Sequence, residues 1–317
     1  MILRVEDLRI NYVTRFGSLS AVDGVSFDLT EREAFGIVGE SACGKTTVAL
    51  SLMRLLPSNG HIQNGRILFS GKDIVRMSDP EIREVRWKGI SMVFQSSMNA
   101  LNPVIKIGDQ IAEAISIHEE ISKKEAKKRV SNLAEMVGIE PSRLANYPHE
   151  FSGGMRQRAV IAMALACNPR ILIADEPTTA LDVIVQAKIL RLLKDIQAET
   201  GIAIILISHD LSIVSETSDR VAVMYAGKIV EEASVSLTMK TPKHPYTQGL
   251  LSSFPDLIRS RTERLGFIQG APPNLRSLPS GCRFHPRCTF RMEKCMKVEP
   301  ELLDLAKDHK VACHLYD

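Results

Sequence analysis

The stretch Gly39-Glu40-Ser41-Ala42-Cys43-Gly44-Lys45-Thr46 matches the pattern G-x-x-x-x-G-K-[ST]. Its surroundings suit a phosphate-binding loop: the apolar run Ala34–Val38 reads as a buried strand before it, and 46–56 favours a helix after it. The glycines let consecutive backbone N–H groups turn inward around a phosphate, at the positive end of the following helix. In this pattern Lys45 neutralises the β- and γ-phosphates and the Thr46 hydroxyl ligates Mg²⁺. Gly39, Ser41, Cys43, Gly44 and Thr47 complete the candidate ATP contacts on the loop. Cys43 reads as a small loop residue rather than a nucleophile, because phosphoryl transfer to water needs no thiol.

A phosphate loop needs an acidic strand end to place Mg²⁺ and the attacking water. Ile171-Leu172-Ile173-Ala174-Asp175-Glu176 supplies it, with two carboxylates emerging at the C-terminal end, where α/β sheets hold their ligands. Asp175 is the candidate Mg²⁺ partner and Glu176 the candidate general base. The runs 171–174, 202–207 and 221–224 read as strands buried on both faces, with a helix over 184–199 between the first two. That alternation predicts an α/β fold with a mainly parallel sheet. Residues 1–80 read instead as short strands (2–8, 21–29, 66–69) punctuated by Gly60, Asn64-Gly65 and Gly71. Residues 78–165 turn helical, with capping-box spacing at Ser78/Glu81 and Ser122/Glu125. The helix expected over 123–137 places Ala126, Val130, Leu133, Ala134 and Val137 on one face. Its Lys123, Lys124, Lys127, Lys128 and Arg129 read as a solvated outer face, not a nucleic-acid surface.

The 317 residues allow about two domains at roughly 150 residues each. With 44% hydrophobic and 24% charged residues the composition is that of an ordinary globular chain. Lys and Arg number 40 against 37 Asp and Glu, and the resulting +3 offers no electrostatic case for nucleic acid. No strongly apolar stretch reaches the roughly 20 residues that span a bilayer. The start Met-Ile-Leu-Arg-Val-Glu puts an acid where a signal peptide needs a basic and then an apolar segment, so a cytoplasmic address is expected.

Further motifs fall in order around these. Phe151-Ser152-Gly153-Gly154-Met155-Arg156-Gln157 lies shortly before the acidic strand, Gln95 follows Val93-Phe94, Ala180-Leu181-Asp182 follows the acids, and His209 stands in Ile207-Ser208-His209-Asp210. Over residues 1–235 the set resembles the ATP-binding-cassette family. The resemblance implies a P-loop NTPase with a RecA-like core, an antiparallel β-subdomain and a helical subdomain at about 97–165, all within a domain 1–237. It implies a head-to-tail dimer in which Ser152, Gly153 and Gly154 act on the partner's ATP and Asp182 lies in the dimer loop. Gln95 would reach Mg²⁺ and the catalytic water, and His209 would contact the γ-phosphate beside Glu176. Tyr12 or Phe16 would lie under the adenine, with Tyr12 preferred. The family's signature usually ends in Gln, and Met155 cannot donate that amide hydrogen bond, so the composite site it completes is expected to be the weaker one. The region 97–150 is expected to carry the groove for membrane partners.

From Lys240 the texture changes, with prolines at 242, 245, 255, 272, 273, 279, 286 and 300, which predicts a small irregular appendage over 238–317. Four of the six cysteines, Cys282, Cys288, Cys295 and Cys313, fall there, and in a reducing compartment such a cluster favours a metal over disulfides. His244-Pro245-Tyr246-Thr247 and Gly281-Cys282-Arg283-Phe284-His285-Pro286-Arg287-Cys288 resemble the C-terminal extension of the oligopeptide/dipeptide subgroup of these ATPases. In that subgroup the cysteines hold an iron–sulfur cluster. By spacing alone (6, 7 and 18 residues), four thiolates suit either Zn²⁺ or a 4Fe-4S cluster; the tight C-x-x-C knuckle of structural zinc is absent, which favours the larger group. His285, His309 and His314 read as outer-layer or surface residues, and Cys167 as core. The subgroup implies an ATPase that powers peptide import with membrane-spanning permease subunits, a sister ATP-binding chain and, indirectly, an extracytoplasmic solute-binding protein, at the cytoplasmic face of the membrane. Nickel or oligosaccharide import, a soluble cassette ATPase and a redox sensor with a vestigial ATPase are the rival readings.

Overall fold

A computed structural model describes residues 1–95, 97–253 and 267–317; Pro255 of the proline-rich segment lies outside the described residues. Strands β1 (Leu3–Thr14) and β2 (Gly17–Leu29) precede β3 (Ala34–Val38), which feeds the phosphate loop, and helix α1 (Lys45–Leu52) leaves it. Then come β4 (Gly60–Phe69), β5 (Lys72–Asp73), α2 (Asp79–Val85), β6 (Ile90–Val93), α3 (Ile107–His118), α4 (Lys123–Met136) and α5 (Gly153–Ala164). They are followed by β7 (Ile171–Asp175), α6 (Val183–Thr200), β8 (Ala203–Ser208), α7 (Leu211–Thr217), β9 (Arg220–Tyr225) and β10 (Lys228–Ser234). The chain ends with α8 (Val235–Lys240), α9 (Pro245–Ser252), α10 (Glu293–Lys297), β11 (Leu303–Ala306) and β12 (His309–Val311). No helix of the described residues is long and apolar enough to cross a membrane.

The chain divides into two compact units, one made of Met1–Leu29, Phe35–Val75 and Ile207–Asp317, the other of Thr30–Ala34 and Arg76–Leu206. In the first unit β2-β1-β4-β5 form an antiparallel sheet, Leu3 lying opposite Leu29 on one side and Phe69 on the other. These strands run longer than their apolar patterns, because polar positions such as Arg9 and Asn11 still pair across the ladder. Register shifts interrupt β1 near Asp7, where Gly65 (φ +101°) is required: a Cβ there would lie 2.6 Å from the Asp7 carbonyl. The same unit carries β3 parallel to β9, buried along its whole length, so an unbroken apolar run is what its position demands.

The C-terminal segment is less irregular than its prolines suggest. β12 pairs antiparallel with β10, and β11 with β12, so the segment supplies ladder partners to a strand whose edge would otherwise expose its backbone. Of the two alternatives for the histidines, an outer layer or the surface, burial removes the surface one at His309 and His314. His309 is 2% exposed, with Nε2 2.7 Å from the buried Glu231 carboxylate. The same carboxylate accepts the backbone N–H groups of Lys243 and His244 at 2.8 and 2.9 Å, as a buried acid requires. His314 is also buried and lies 2.8 Å from the Val298 carbonyl. Burial pushes His244 down to about 3, so its imidazole is neutral near pH 7, and Nδ1 accepts the Tyr246 N–H at 3.0 Å to start α9.

In the second unit β6 and β7 are parallel, Ile90 opposite Ile171, and β8 lies beside β7. Strand β6 interrupts a region read as helical; four buried residues carry no period that separates strand from helix. Helix starts follow their caps: Ser78 N–H donates to Glu81 at 2.7 Å, and Ser122 Oγ accepts the Glu125 N–H at 3.2 Å. Gly201 (φ +70°) ends α6 in the left-handed conformation that glycine adopts without strain. On α4, Ala126, Val130, Leu133 and Ala134 are buried and the lysines exposed, and Arg129 pairs with Glu119 at 2.6 Å. Cys167 is core, as expected, with Sγ 3.7 Å from the Ala114 carbonyl.

Candidate nucleotide site

Strand β3 delivers the phosphate loop and α1 begins at Lys45, so the helix dipole points its positive end into the loop. Two glycines are dictated by space. A Cβ on Gly39 would lie 2.1 Å from the Met224 carbonyl oxygen, and one on Gly44 (φ +105°) would lie 2.4 Å from that of Ala21. Lys45 is 5% exposed and its ammonium donates to the carbonyls of Gly39 (2.7 Å) and Glu40 (3.0 Å). A lysine has three donors, and the third has only Cys43 Sγ nearby, at 3.8 Å. Burial raises the Cys43 thiol, which the Lys45 charge offsets only in part, so Cys43 stays protonated and suits no nucleophilic role. Ser41 and Thr46 are exposed. Tyr12 Oη lies 3.2 Å from the Thr47 hydroxyl, and the ring packs on the Gly60 backbone, where a Cβ would come within 2.8 Å of it. Phe16 is 65% exposed and flanked by the guanidinium groups of Arg15 and Arg276, 4.6 and 4.9 Å from its ring centre. His209 is exposed on the bend after β8, and Asp210 caps the next helix by accepting the Ser212 N–H at 2.8 Å.

The second unit carries the acidic residues. Asp175 ends β7 and is 1% exposed. Glu176 follows with φ +46°, a conformation that costs a non-glycine residue about 1–3 kcal/mol and turns its carboxylate off the strand. Gln95 Nε2 donates to Glu176 Oε2 at 2.8 Å, joining two residues 81 positions apart. Thr179 Oγ1 donates to the same oxygen at 3.1 Å. Sequence reasoning missed Thr179, although a hydroxyl three residues after an acid is a recognisable local hydrogen-bonding spacing. Ser152 caps α5, its Oγ accepting the Met155 N–H at 3.3 Å. A Cβ on Gly154 would lie 2.7 Å from Val185 Cγ1, and one on Gly153 would lie 3.3 Å from Leu181 Cδ2. The residues flanking Asp182 therefore pack on the signature glycines, while Asp182 caps α6 by accepting the Val185 N–H at 2.9 Å.

The four C-terminal cysteines are free thiols. Among the described residues no group of three or more His, Cys, Asp or Glu side chains could hold a metal ion, so the expected metal centre on Cys282, Cys288, Cys295 and Cys313 is not assembled as a single-ion site. They do share one neighbourhood. Burial first, then the nearby Cys295, Cys313 and Cys288, push Cys282 up to about 11. Cys313 rises to about 11 for the same reasons, with Cys288 and Cys295 its neighbours, and Cys288 rises by burial and Cys295. Thiols raised in this way stay protonated near pH 7, whereas a metal ligand is a thiolate. The backbone N–H groups of Phe284, Phe290 and Leu315, each two residues on, point at the sulfurs of Cys282, Cys288 and Cys313 and partly oppose the shift.

Residues 22–179 match the family model described as ABC transporter, and 230–295 match the one described as oligopeptide/dipeptide transporter, C-terminal region. The chain is 51% identical to the dipeptide transport ATP-binding protein DppD of Bacillus subtilis (strain 168), an alignment covering 100% of this chain and 95% of that protein. The chain belongs to the ABC transporter ATP-binding subunits of the oligopeptide/dipeptide type. It is also 49% identical to the oligopeptide transport ATP-binding protein OppD of the same organism, over 98% of this chain and 87% of the relative. Among solved structures it resembles the dimeric bacterial ABC transporter cassette MJ0796, with TM-score 0.66 and 26% identity over 74% of this chain and 99% of that one. A structure of the same cassette in a post-hydrolysis state, bound to ADP and Pi, matches with the same TM-score of 0.66.

The α/β cassette fold expected from the motif order therefore holds. The residues of this ABC subunit suit a magnesium–nucleotide unit by unit: the first carries a buried ammonium on Lys45 at the start of α1 and the exposed Thr46 hydroxyl, the second a carboxylate on Asp175 at the end of β7.

Proposed function

We propose that this chain hydrolyses ATP to power import of dipeptides or oligopeptides through membrane-spanning partner subunits. The Gln95–Glu176 hydrogen bond of 2.8 Å is the observation that carries hydrolysis. Two donors on one oxygen hold the plane of the Glu176 carboxylate, so this base would take the proton of an attacking water at a set position. Lys45 would neutralise phosphate charge, and His209, exposed on the bend after β8, would donate to the γ-phosphate. Mg²⁺, held by Thr46, Asp175 and Gln95, would neutralise further charge on the phosphates. Tyr12 rather than Phe16 is the platform for adenine: it is tied to Thr47, two residues after Lys45, whereas Arg15 and Arg276 already lie over the Phe16 ring.

Ser152, Gly153 and Gly154 would act on the ATP of a second ATP-binding subunit, a sister chain, through the open N-terminus of α5. Asp182 would lie in the dimer loop, and Met155 would leave that composite site the weaker of two. A groove of about 900 Å³ between α3 and α4, bordered by Ile105, Ala112, Val130 and Leu144, suits a helix from a permease subunit. On this reading the cassette covers 1–237, its helical part about 97–165, and the C-terminal extension 238–317. The chain works at the cytoplasmic face of the membrane, receives solute indirectly from an extracytoplasmic binding protein, and takes no nucleic acid.

The test is reconstitution with the permease subunits and binding protein of a peptide importer. ATP hydrolysis should rise when the binding protein arrives loaded with a dipeptide or oligopeptide. Stimulation by nickel- or oligosaccharide-loaded binding protein alone, or co-purification with ribosomes instead of membrane subunits, would overturn the assignment.

The extension is proposed to hold a 4Fe-4S cluster on Cys282, Cys288, Cys295 and Cys313, with zinc the alternative. Four thiols within electrostatic reach of one another, three of them approached by an N–H from two residues on, support it, because such bonds stabilise metal-bound thiolates. The cluster would brace a segment too small for a core of its own. Cys288→Ser should remove the visible absorbance and the iron of anaerobically purified protein. Stoichiometric zinc in the unsubstituted protein would sink the proposal.

A further inference from the structure

The phosphate loop is held from outside itself by the C-terminal segment. Arg287, whose side chain is only 6% exposed, grips Glu40, the second residue of the loop, through two parallel hydrogen bonds: Nη1 to Oε2 at 2.6 Å and Nη2 to Oε1 at 2.9 Å. Nη1 also donates to Tyr225 Oη at 3.3 Å and Nε to the Gln269 carbonyl at 2.9 Å, so the fork is locked on three sides. Tyr246, fully buried, accepts the Glu40 backbone N–H at 2.9 Å. The Glu40 carbonyl is one of the two acceptors that hold the Lys45 ammonium. A second tie reaches the other end of the loop. Arg283 donates to the Ala226 carbonyl at 2.5 Å and is paired with Asp23, and the adjoining Gly227 N–H donates to the Cys43 carbonyl at 2.9 Å. Tyr225, Tyr246 and Phe284 pack beneath as a ring cluster, with centroids 4.7–5.4 Å apart. Ser41, Ala42 and Cys43 border a cavity of about 350 Å³ walled by Pro272, Pro273 and Leu275.

We propose that Arg287 is a positioning residue of the ATP site: it holds Glu40 so that the phosphate loop presents Lys45 to the phosphates, and the 282–288 segment is thereby a brace of the nucleotide site. Resting on the ATP-binding reading, the proposal adds a residue that touches no nucleotide yet sets its affinity. A bidentate Arg–carboxylate pair, nearly buried, fixes geometry as well as energy, and an ammonium or an alanine cannot reproduce the fork.

The test is equilibrium titration of the full-length chain with ATP, for wild type, Arg287→Ala, Glu40→Ala and the double variant, with steady-state hydrolysis alongside. Each single substitution should weaken ATP binding about tenfold, the loss of one charge-assisted contact. The double variant should be no weaker than either single one, since the pair acts as a unit. At saturating ATP the kcat should stay within about twofold of wild type, a split that general unfolding would not produce. Wild-type affinity in Arg287→Ala, or losses that multiply in the double variant, would overturn the proposal. If Arg287→Ala fails to unfold cooperatively, Arg287→Lys decides: weakened binding supports the fork, and unchanged binding refutes it. A wild-type chain that binds no ATP would instead refute the nucleotide reading itself.

Discussion

Glu176→Gln should lower ATP turnover by about 10²- to 10⁴-fold while leaving ATP binding near that of the unsubstituted chain. Glutamine keeps the size of the side chain, and its carbonyl oxygen can still accept from Gln95 and Thr179, now 2.8 and 3.1 Å from Glu176. What it loses is the ability to take a proton from water. Binding depends on the phosphate loop, which the substitution does not touch. Single-turnover hydrolysis beside an ATP titration separates the two quantities. Near-normal hydrolysis by the variant would remove Glu176 from the role of base.

The second large effect is expected at Gly44. Alanine there must adopt φ +105°, and its methyl would lie 2.4 Å from the Ala21 carbonyl oxygen, a backbone atom with no rotamer to escape into. The conformational strain costs about 1–3 kcal/mol, and relieving the clash displaces the start of α1, where Lys45 and Thr46 sit. Gly44→Ala should therefore lose ATP affinity by about 100-fold or more, since losing one charged contact is already worth about tenfold. Gly71→Ala is the matched control: its φ is also positive, at +82°, but no atom lies within 4 Å of the added carbon. It should lower the melting temperature slightly and bind ATP normally. Equal loss of affinity in both variants would mean that strain, not contact with Ala21, governs the loop.

Much of the candidate nucleotide site is legible because its motifs are written in contiguous stretches. The loop 39–46, the acids at the end of β7 and the serine cap of α5 each need only local backbone geometry to form. The parallel-sheet strands were readable for a similar reason: burial on both faces demands an unbroken apolar run, as in β3 and β7. Strand β6 was not, since four residues carry no distinguishing period. The burial of His309 was not legible, because nothing near it in the chain announces Glu231, 78 residues earlier.

By itself the sequence determined the family of folds, the phosphate loop, the paired acids and the signature, because each is a short pattern whose spacing sets its own geometry. The tertiary structure alone decided which side chains hold those pieces still. Gln95 meets Glu176 across 81 residues, Tyr246 meets Glu40 across 206, and Arg287 meets Glu40 across 247. No periodicity encodes such pairs; they exist only where chain closure brings distant donors and acceptors together.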